Sequence, residues 1–286
     1  MDKLLNWSIA QQSGDKEAIE KVGNPDPKML EQLFGGPDEP TLMKQAFQVI
    51  ENPEASVENK EVAFDNFEML IENLDNANNI ENLGLWPNLI NQLEENIPES
   101  LRVFAASCVG VAVQNNPTSQ ENFVKHSGVS ALISIASDKK SPVELELKTL
   151  FALSSLLRNS PVAYAEFEKN DGWKIFESVD YGHEKIKLRS LSIISAILST
   201  SFDKKVVEEI HNHAIIKTLI GILSNDEHIG CIDKALNIIS QLFHLSFDFS
   251  KDEIQKISSA LQRIESKKDQ ISTEDFHHVQ KSVSEN

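Results

Sequence analysis

The chain has 286 residues, 40% of them hydrophobic, with 27 basic against 44 acidic side chains and a formal net charge of −17. That length can bury a sizeable core, as one elongated domain or two compact ones. Neutralising phosphates needs clustered cations, so the charge balance argues against nucleic acid, and against an anionic membrane surface, as a partner.

The first residues, Met1 to Leu5, carry no cationic stretch followed by a long apolar run and do not read as a secretory leader. Residues 1–40 hold turn chemistry, "VGNPDPK" and "FGGPDEP", and one short helical candidate at Leu4, Leu5, Trp7 and Ile9; they read as a mobile N-terminal arm. The longest apolar-rich stretches, 103–113 and 188–198, are about half of the roughly 20 residues that span a bilayer. A soluble, cytosolic protein is expected.

From Thr41 to about Leu245 apolar residues recur at helical spacing, without a convincing alternating strand. Segment 57–76 reads as one helix with three stripes. Phe64, Phe67, Ile71 and Leu74 form a core stripe. Glu61, Asp65, Glu68, Glu72 and Asp75 form an acidic one, and Asn59, Asn66 and Asn73 lie on the opposite flank. Residues 51–100 contain twelve acids and one lysine. The acidic stripe is either a solvated face or a patch for a basic partner surface, which would speed encounter and fix orientation. Like charges on one stripe cost stability, which tilts the choice towards the second.

Further along, helix starts are legible. Asn116-Pro117 and Ser160-Pro161 read as an N-cap followed by proline at the first helical position, and Ser141 to Glu144 as a capping box. Residues 187–200 are apolar over more than half their circumference, at Leu188, Leu191, Ile193, Ile194, Ile197 and Leu198, as expected of a helix packed between repeats. Apolar blocks open at Leu85-Trp86, Gly128-Val129, Gly172-Trp173 and Ala214-Ile215, spaced by 43, 44 and 42 residues. Each opens a shorter helix, a polar break and a longer apolar helix. Punctuation follows ("VQNNP", "LRNSP"), then a short helix leads into the next unit. A three-helix unit of this period is the armadillo/HEAT frame. The expected fold is all-α: a right-handed superhelical solenoid of about four three-helix repeats over 41–247, followed by a helical C-terminal tail, 248–286.

Cys108 and Cys231 sit inside apolar helical patterns and read as buried thiols in a reducing compartment. No phosphate-binding loop, dinucleotide fingerprint, nucleophile elbow or paired-cysteine motif is present. His211 and His213 do not share a helix face, so with His228 they read as surface residues rather than metal ligands. No enzyme activity, metal or cofactor is expected. Trp86 and Trp173 occupy equivalent repeat positions and read as packing residues. Armadillo proteins that bind extended basic peptides use a tryptophan–asparagine ladder on the last helix of each repeat. Here those helices end in Asn73, Asn115 and Asn159 but carry no tryptophan, which discounts an import-receptor-like role. Arg158 and Arg189 are cations on long helices that either reach the groove or stay solvated; Arg158 lies in a last turn, where positive charge suits the helix dipole.

The segments "MDKLLNWSIA", "GNPDPKMLEQLFGGPDEPTLM" and "ENKEVAFDNFEMLIENLDNANNIENLGLW" resemble the armadillo-type nucleotide exchange factors of heat-shock protein 70, the family of the fungal Fes protein and the animal heat-shock-protein-binding protein. Downstream, "AVQNN", "GVSALISIASDK" and "ALSSLLRN" continue the likeness, which fades after about residue 245. The resemblance implies a core that curves around lobe II of the chaperone's ATPase domain through its concave face, loosening the other lobe so that ADP leaves. It also implies an arm linked to client release. By local match Ala77 and Arg189 are implied contact positions. Asn73, Glu68, Glu72, Asp75, Asn115, Arg158 and Asn159 are added as partner-binding candidates from the residues themselves. A monomer is expected. The competing readings are an armadillo scaffold without nucleotide coupling and an enzyme with an unrecognised site. Thr200-Ser201-Phe202 departs from the Asn-Pro punctuation and puts the groove there in doubt.

Overall fold

The computed structural model describes residues 37–285. The N-terminal arm expected for residues 1–40 lies almost wholly outside them. A boundary between compact units falls between Gln45 and Ala46, inside the first described helix, α1 (Glu39–Ile50). From Ala46 onward every regular element is helical: α2 (Val57–Ile71), α3 (Leu74–Asn82), α4 (Trp86–Asn91), α5 (Glu99–Val113), α6 (Pro117–Lys125), α7 (Gly128–Ser137), α8 (Val143–Leu157), α9 (Pro161–Lys169), a 3₁₀ turn (Gly172–Glu177), α10 (Glu184–Leu198), α11 (Lys204–Asn212), α12 (Ile215–Asn225), α13 (Ile229–His244), α14 (Lys251–Ile264), a second 3₁₀ turn (Glu265–Gln270) and α15 (Thr273–Glu285).

These elements repeat as short helix, second helix, long third helix. The third helices stack side by side: α2 on α5, α5 on α8, α8 on α10, α10 on α13. The residues expected as a C-terminal tail continue the pattern, with α14 packed on α12 and α15 on α13. Burial explains the stack. Helix α8 keeps Leu145, Leu150, Ala152, Leu153, Leu156 and Leu157 fully out of water. A helix apolar around most of its circumference has to be covered on several sides. Trp86 and Trp173 are both buried, Trp86 edge-on to Phe123 at 5.5 Å and Trp173 beside Phe176 at 5.6 Å. Cys108 and Cys231 are buried free thiols.

The recurring punctuation is a turn with a physical cause. Asn115 and Asn159 adopt φ of 52° and 55°, a left-handed conformation that asparagine tolerates better than most residues. The next residue then caps the following helix. Asn116 Oδ1 accepts from the Ser119 N–H, and Ser160 Oγ from the Ala163 N–H. Proline follows at the first helical position, where no N–H is needed. The departing turn at Thr200 is rebuilt by other means. Thr200 Oγ1 donates to the Leu157 carbonyl at the end of α8, at 2.7 Å, and Asp203 caps α11 by accepting from the Val206 N–H.

A second joint precedes each second helix. Gly84, Ser127, Asp171 and Ala214 all have φ between 52° and 67°. Ala214 is therefore the left-handed hinge of the fourth unit, and its second helix starts at Ile215; the repeat register runs one residue later there than the sequence spacing suggests. In the second and third units the residue after this joint faces a phenylalanine five positions earlier. A Cβ on Gly128 would lie 2.3 Å from the Phe123 ring, and one on Gly172 would lie 2.4 Å from the Phe167 ring. In the fourth unit the corresponding pair is Ile210 and Ile215, both buried. A smaller partner makes room for a larger side chain.

Three local expectations are corrected. Segment 57–76 is two helices: α2 stops at Ile71, and Asn73 turns extended (φ −76°, ψ 128°) and caps α3 through its side chain. Leu74 consequently leaves the core and is 56% exposed, while Phe64, Phe67 and Ile71 are buried. The Ser141 capping box does not form. Pro142 is the N-cap of α8, and Ser141 Oγ instead donates to the Ile135 carbonyl. A capping box does form at Ser250 and Glu253.

Because the Phe123 ring is itself fixed against Trp86, it cannot swing away from a new methyl group. Gly128→Ala is expected to destabilise by about 2 kcal/mol through overpacking. The same change in a Phe123→Ile background should cost markedly less, giving a double-mutant coupling readable by urea unfolding.

Candidate functional site

The third helices open a groove of about 730 Å³ across α2, α5 and α8. From α2 come Asp65, Glu68, Met69 and its C-cap Glu72; from α5, Glu99, Ser100, Val103, Phe104 and Ser107; from α8, Glu144 and Lys148. The floor is apolar. Phe104 stacks with the buried Phe64 at 6.0 Å, and Met69 is 71% exposed above it. Around the floor stand five carboxylates and one ammonium. A low-dielectric cleft lined by one sign of charge focuses its field on an incoming surface of the other sign.

The ammonium is tethered. Lys148 Nζ donates to Ser107 Oγ at 3.1 Å, and Ser107 Oγ donates to Glu68 Oε1 at 3.0 Å. This chain ties α8 to α5 and α5 to α2 across the groove, with Ser107 almost fully buried at its centre. Beneath it, burial and then the nearby Glu68 carboxylate push the Cys108 thiol well up. The thiol therefore stays protonated and unreactive, since the thiolate is the nucleophile.

The expected partner residues fall into separate places. Glu68 and Glu72 line the groove. Asn73 and Asp75 are exposed beyond the break between α2 and α3, where Asn73 Oδ1 accepts from the Asp75 N–H. Asn115 and Asn159 are exposed at the left-handed turns. Arg158 is the C-cap of α8, its carbonyl accepting from Gln120 Nε2 at 3.1 Å. Arg189 is exposed on α10, its guanidinium 5.2 Å from the centre of the Phe151 ring. Ala77 is 2% exposed, with its carbonyl accepting from Ser119 Oγ. It is an interior residue between α3 and α6, so direct contact through its side chain is corrected to a packing role.

The three histidines considered together in the sequence lie apart. His211 packs on Phe247 at 5.3 Å, His213 lies between Glu177 and Glu209, and His228 caps α13. Sequence reasoning missed Met69, Val103, Phe104, Ser107 and Lys148. The signal lay in the repeat register. Phe104, Lys148, Arg189 and Lys234 each follow by three residues a buried position that opens a third helix: Leu101, Leu145, Ile186 and Cys231.

Stacked three-helix units with a groove along their third helices define an armadillo-type repeat protein. Solved structures agree. A designed armadillo repeat protein in complex with peptide (KR)4 superposes with TM-score 0.68 at 14% identity, covering 85% of this chain and 98% of that one. Another engineered protein gives TM-score 0.70 at 12% identity, covering 85% and 96%. The family model described as nucleotide exchange factor Fes1 matches residues 1–80, and the SIL1/FES1/HPBP1 C-terminal domain matches residues 76–213. An Hsp70 nucleotide exchange factor FES1 of Debaryomyces hansenii is 60% identical over 99% of this chain and 100% of its own. That of Saccharomyces cerevisiae is 44% identical over 96% and 98%. The chain belongs to the Fes1 family of nucleotide exchange factors.

Ala77→Arg and Arg189→Ala should separate in a melting experiment. Forcing a cation into the buried Ala77 site is expected to cost about 3 kcal/mol or more and lower the melting temperature. Arg189→Ala removes an exposed side chain and one cation–π contact, and should change stability by less than about 1 kcal/mol.

Proposed function

We propose that this chain is a co-chaperone that binds the ATPase domain of a cytosolic heat-shock protein 70 and promotes release of ADP. The observation that carries this reading is family membership along nearly the whole chain, from both family models and from relatives named as exchange factors. The groove supports it, since a charged wall over an apolar floor suits a folded protein surface. In this reading the groove seats lobe II of the ATPase domain, the chain acts as a monomer, and the N-terminal arm aids client release. None of the described helices is long and apolar enough to cross a membrane.

The activity needs no catalytic residue. A partner that binds the nucleotide-free chaperone more tightly than the ADP form weakens ADP by the same factor. Only differential contacts between two chaperone states are required. An interface of ordinary size, roughly 1,600 Å² in total, supplies them.

Stopped-flow release of a fluorescent ADP analogue from heat-shock protein 70 tests the reading. The chain should accelerate release, and Arg189→Ala should reduce the acceleration by about tenfold or more at unchanged melting temperature. Deleting residues 1–40 should leave exchange intact and slow client release. Binding to the chaperone without acceleration at micromolar protein would make the chain a scaffold instead.

A further inference from the structure

Helix α15 is attached to the stack by few anchors. Of its 13 residues only Phe276 and Val279 are buried. A segment with so little buried surface opens at low cost. Its other ties to α13 are polar. Asn237 Nδ2 donates to Asp275 Oδ2 at 3.1 Å, and just before α15 the Ser272 N–H donates to Asp233 Oδ1 at 2.6 Å. One turn further along α15, two histidines meet. His244, the last residue of α13, stacks face to face on His278, with ring centroids 3.7 Å apart and planes 8° from parallel. His278 Nδ1 lies 2.9 Å from Oγ of the buried Ser240, and Phe243 meets the same ring edge-on at 6.4 Å.

Such a stack holds one positive charge and not two. A cation over a neutral aromatic face is favourable, so the exposed His244 can carry a proton. Two imidazolium rings at that separation repel. The His278 ring is accordingly held below the ordinary histidine value, first by burial and then by His244. On α15 itself Lys281 acts in the same sense, while Asp275 and Glu274 oppose it; His277 is exposed and turned to Phe276. The other charged groups of α13 at this seam face elsewhere, Asp233 to Ser272 and Lys234 to Asp275. Those of α14 and the second 3₁₀ turn have partners of their own: Lys256 with Asp252, Glu253 with Ser250, Arg263 and Lys267 with Glu227, Lys268 with Glu265. Lys251 and Asp269 are exposed.

We propose that the His244–His278 stack is an acid-released latch: it holds α15 on α13 at neutral pH and frees it when both rings are protonated. The sign follows from counting protons. Docked, the pair takes one; detached, the two solvated rings take two. The detached form is therefore favoured by about tenfold more for each pH unit below the histidine range, which centres near pH 6.5. Docking is complete above that range and is lost progressively as the pH falls through it. Histidine is the side chain whose ordinary charge change lies between pH 5 and 8, so a mild acid shift suffices. Release bares Phe276, Val279 and the flank of α13 that carries Ser240. Because α13 is the third helix stacked on α10, the last layer of the stack loosens while α2, α5 and α8 stay packed.

The test is hydrogen–deuterium exchange of the full chain at about pH 7.5 and about pH 5.5, corrected for the intrinsic pH dependence of amide exchange. Protection of α15 should fall about tenfold at the lower pH, and that of α5 and α8 should hold. The pair His244→Asn with His278→Asn cannot be charged, and the amide oxygen introduced at 278 can replace Nδ1 opposite Ser240; α15 should then be equally protected at both pH values. Parent protection of α15 that is the same at both pH values overturns the proposal. So does an equal acid loss in the double variant, which would assign the effect to Asp233 and Asp275. Should the double variant leave α15 unprotected already at neutral pH, the ring-proton resonances of the two parent histidines decide. Two titration steps are expected, the lower one below that of a histidine in an unstructured peptide; a single shared step at the peptide value overturns the latch.

Discussion

The structure depends on how closely its third helices approach one another. A Cβ on Gly110 of α5 would sit 2.5 Å from the Phe151 ring of α8 and 3.3 Å from the Ala152 backbone, so the two helices meet with no space to spare. Close-packed interiors transmit strain instead of absorbing it. The groove is the outer side of that same contact: Phe104 and Ser107 line it, while Ala105, Ala106 and Cys108 on the same helix point into the core. The groove is thus held in place by the core directly beneath it.

This arrangement suits a protein that acts by differential binding. An exchange factor does its work by favouring one state of its partner, and a template that yielded to either state would favour neither. The Lys148–Ser107–Glu68 chain serves the same end at the level of side chains. Each member is fixed by the next, so little rotamer freedom remains along that part of the groove.

Much of the repeat frame was legible because its signals are local. A left-handed asparagine, a capping Asn or Ser and a proline occupy consecutive positions, and each has one physical reason to be there. The errors came where two local signals competed. Asn73 sits in an acidic, helix-compatible run, and nothing in its neighbours announces that its side chain will cap α3 instead of continuing α2. Ser141 satisfies the capping pattern, yet the Ile135 carbonyl offered its hydroxyl a better partner from the preceding helix. The groove was harder still. Glu68 and Glu72 could be read from one helix, but Ser107 and Lys148 acquire meaning only when three helices some forty residues apart are laid side by side. Ala77 shows the converse: a small residue within a matching segment proved to be interior.

The ties between neighbouring units share one further property. Ser107 to Glu68, Lys148 to Ser107, and Thr200 to Leu157 span 39, 41 and 43 residues, and the longest described hydrogen bond, Cys231 to Glu184, spans 47. No described hydrogen bond joins one end of the chain to the other. A polypeptide wired in this way can complete each layer while the next is still being synthesised, because every bond closes against a segment that has just left the ribosome. A factor built to assist a chaperone is thereby wired to place little demand on one during its own biosynthesis.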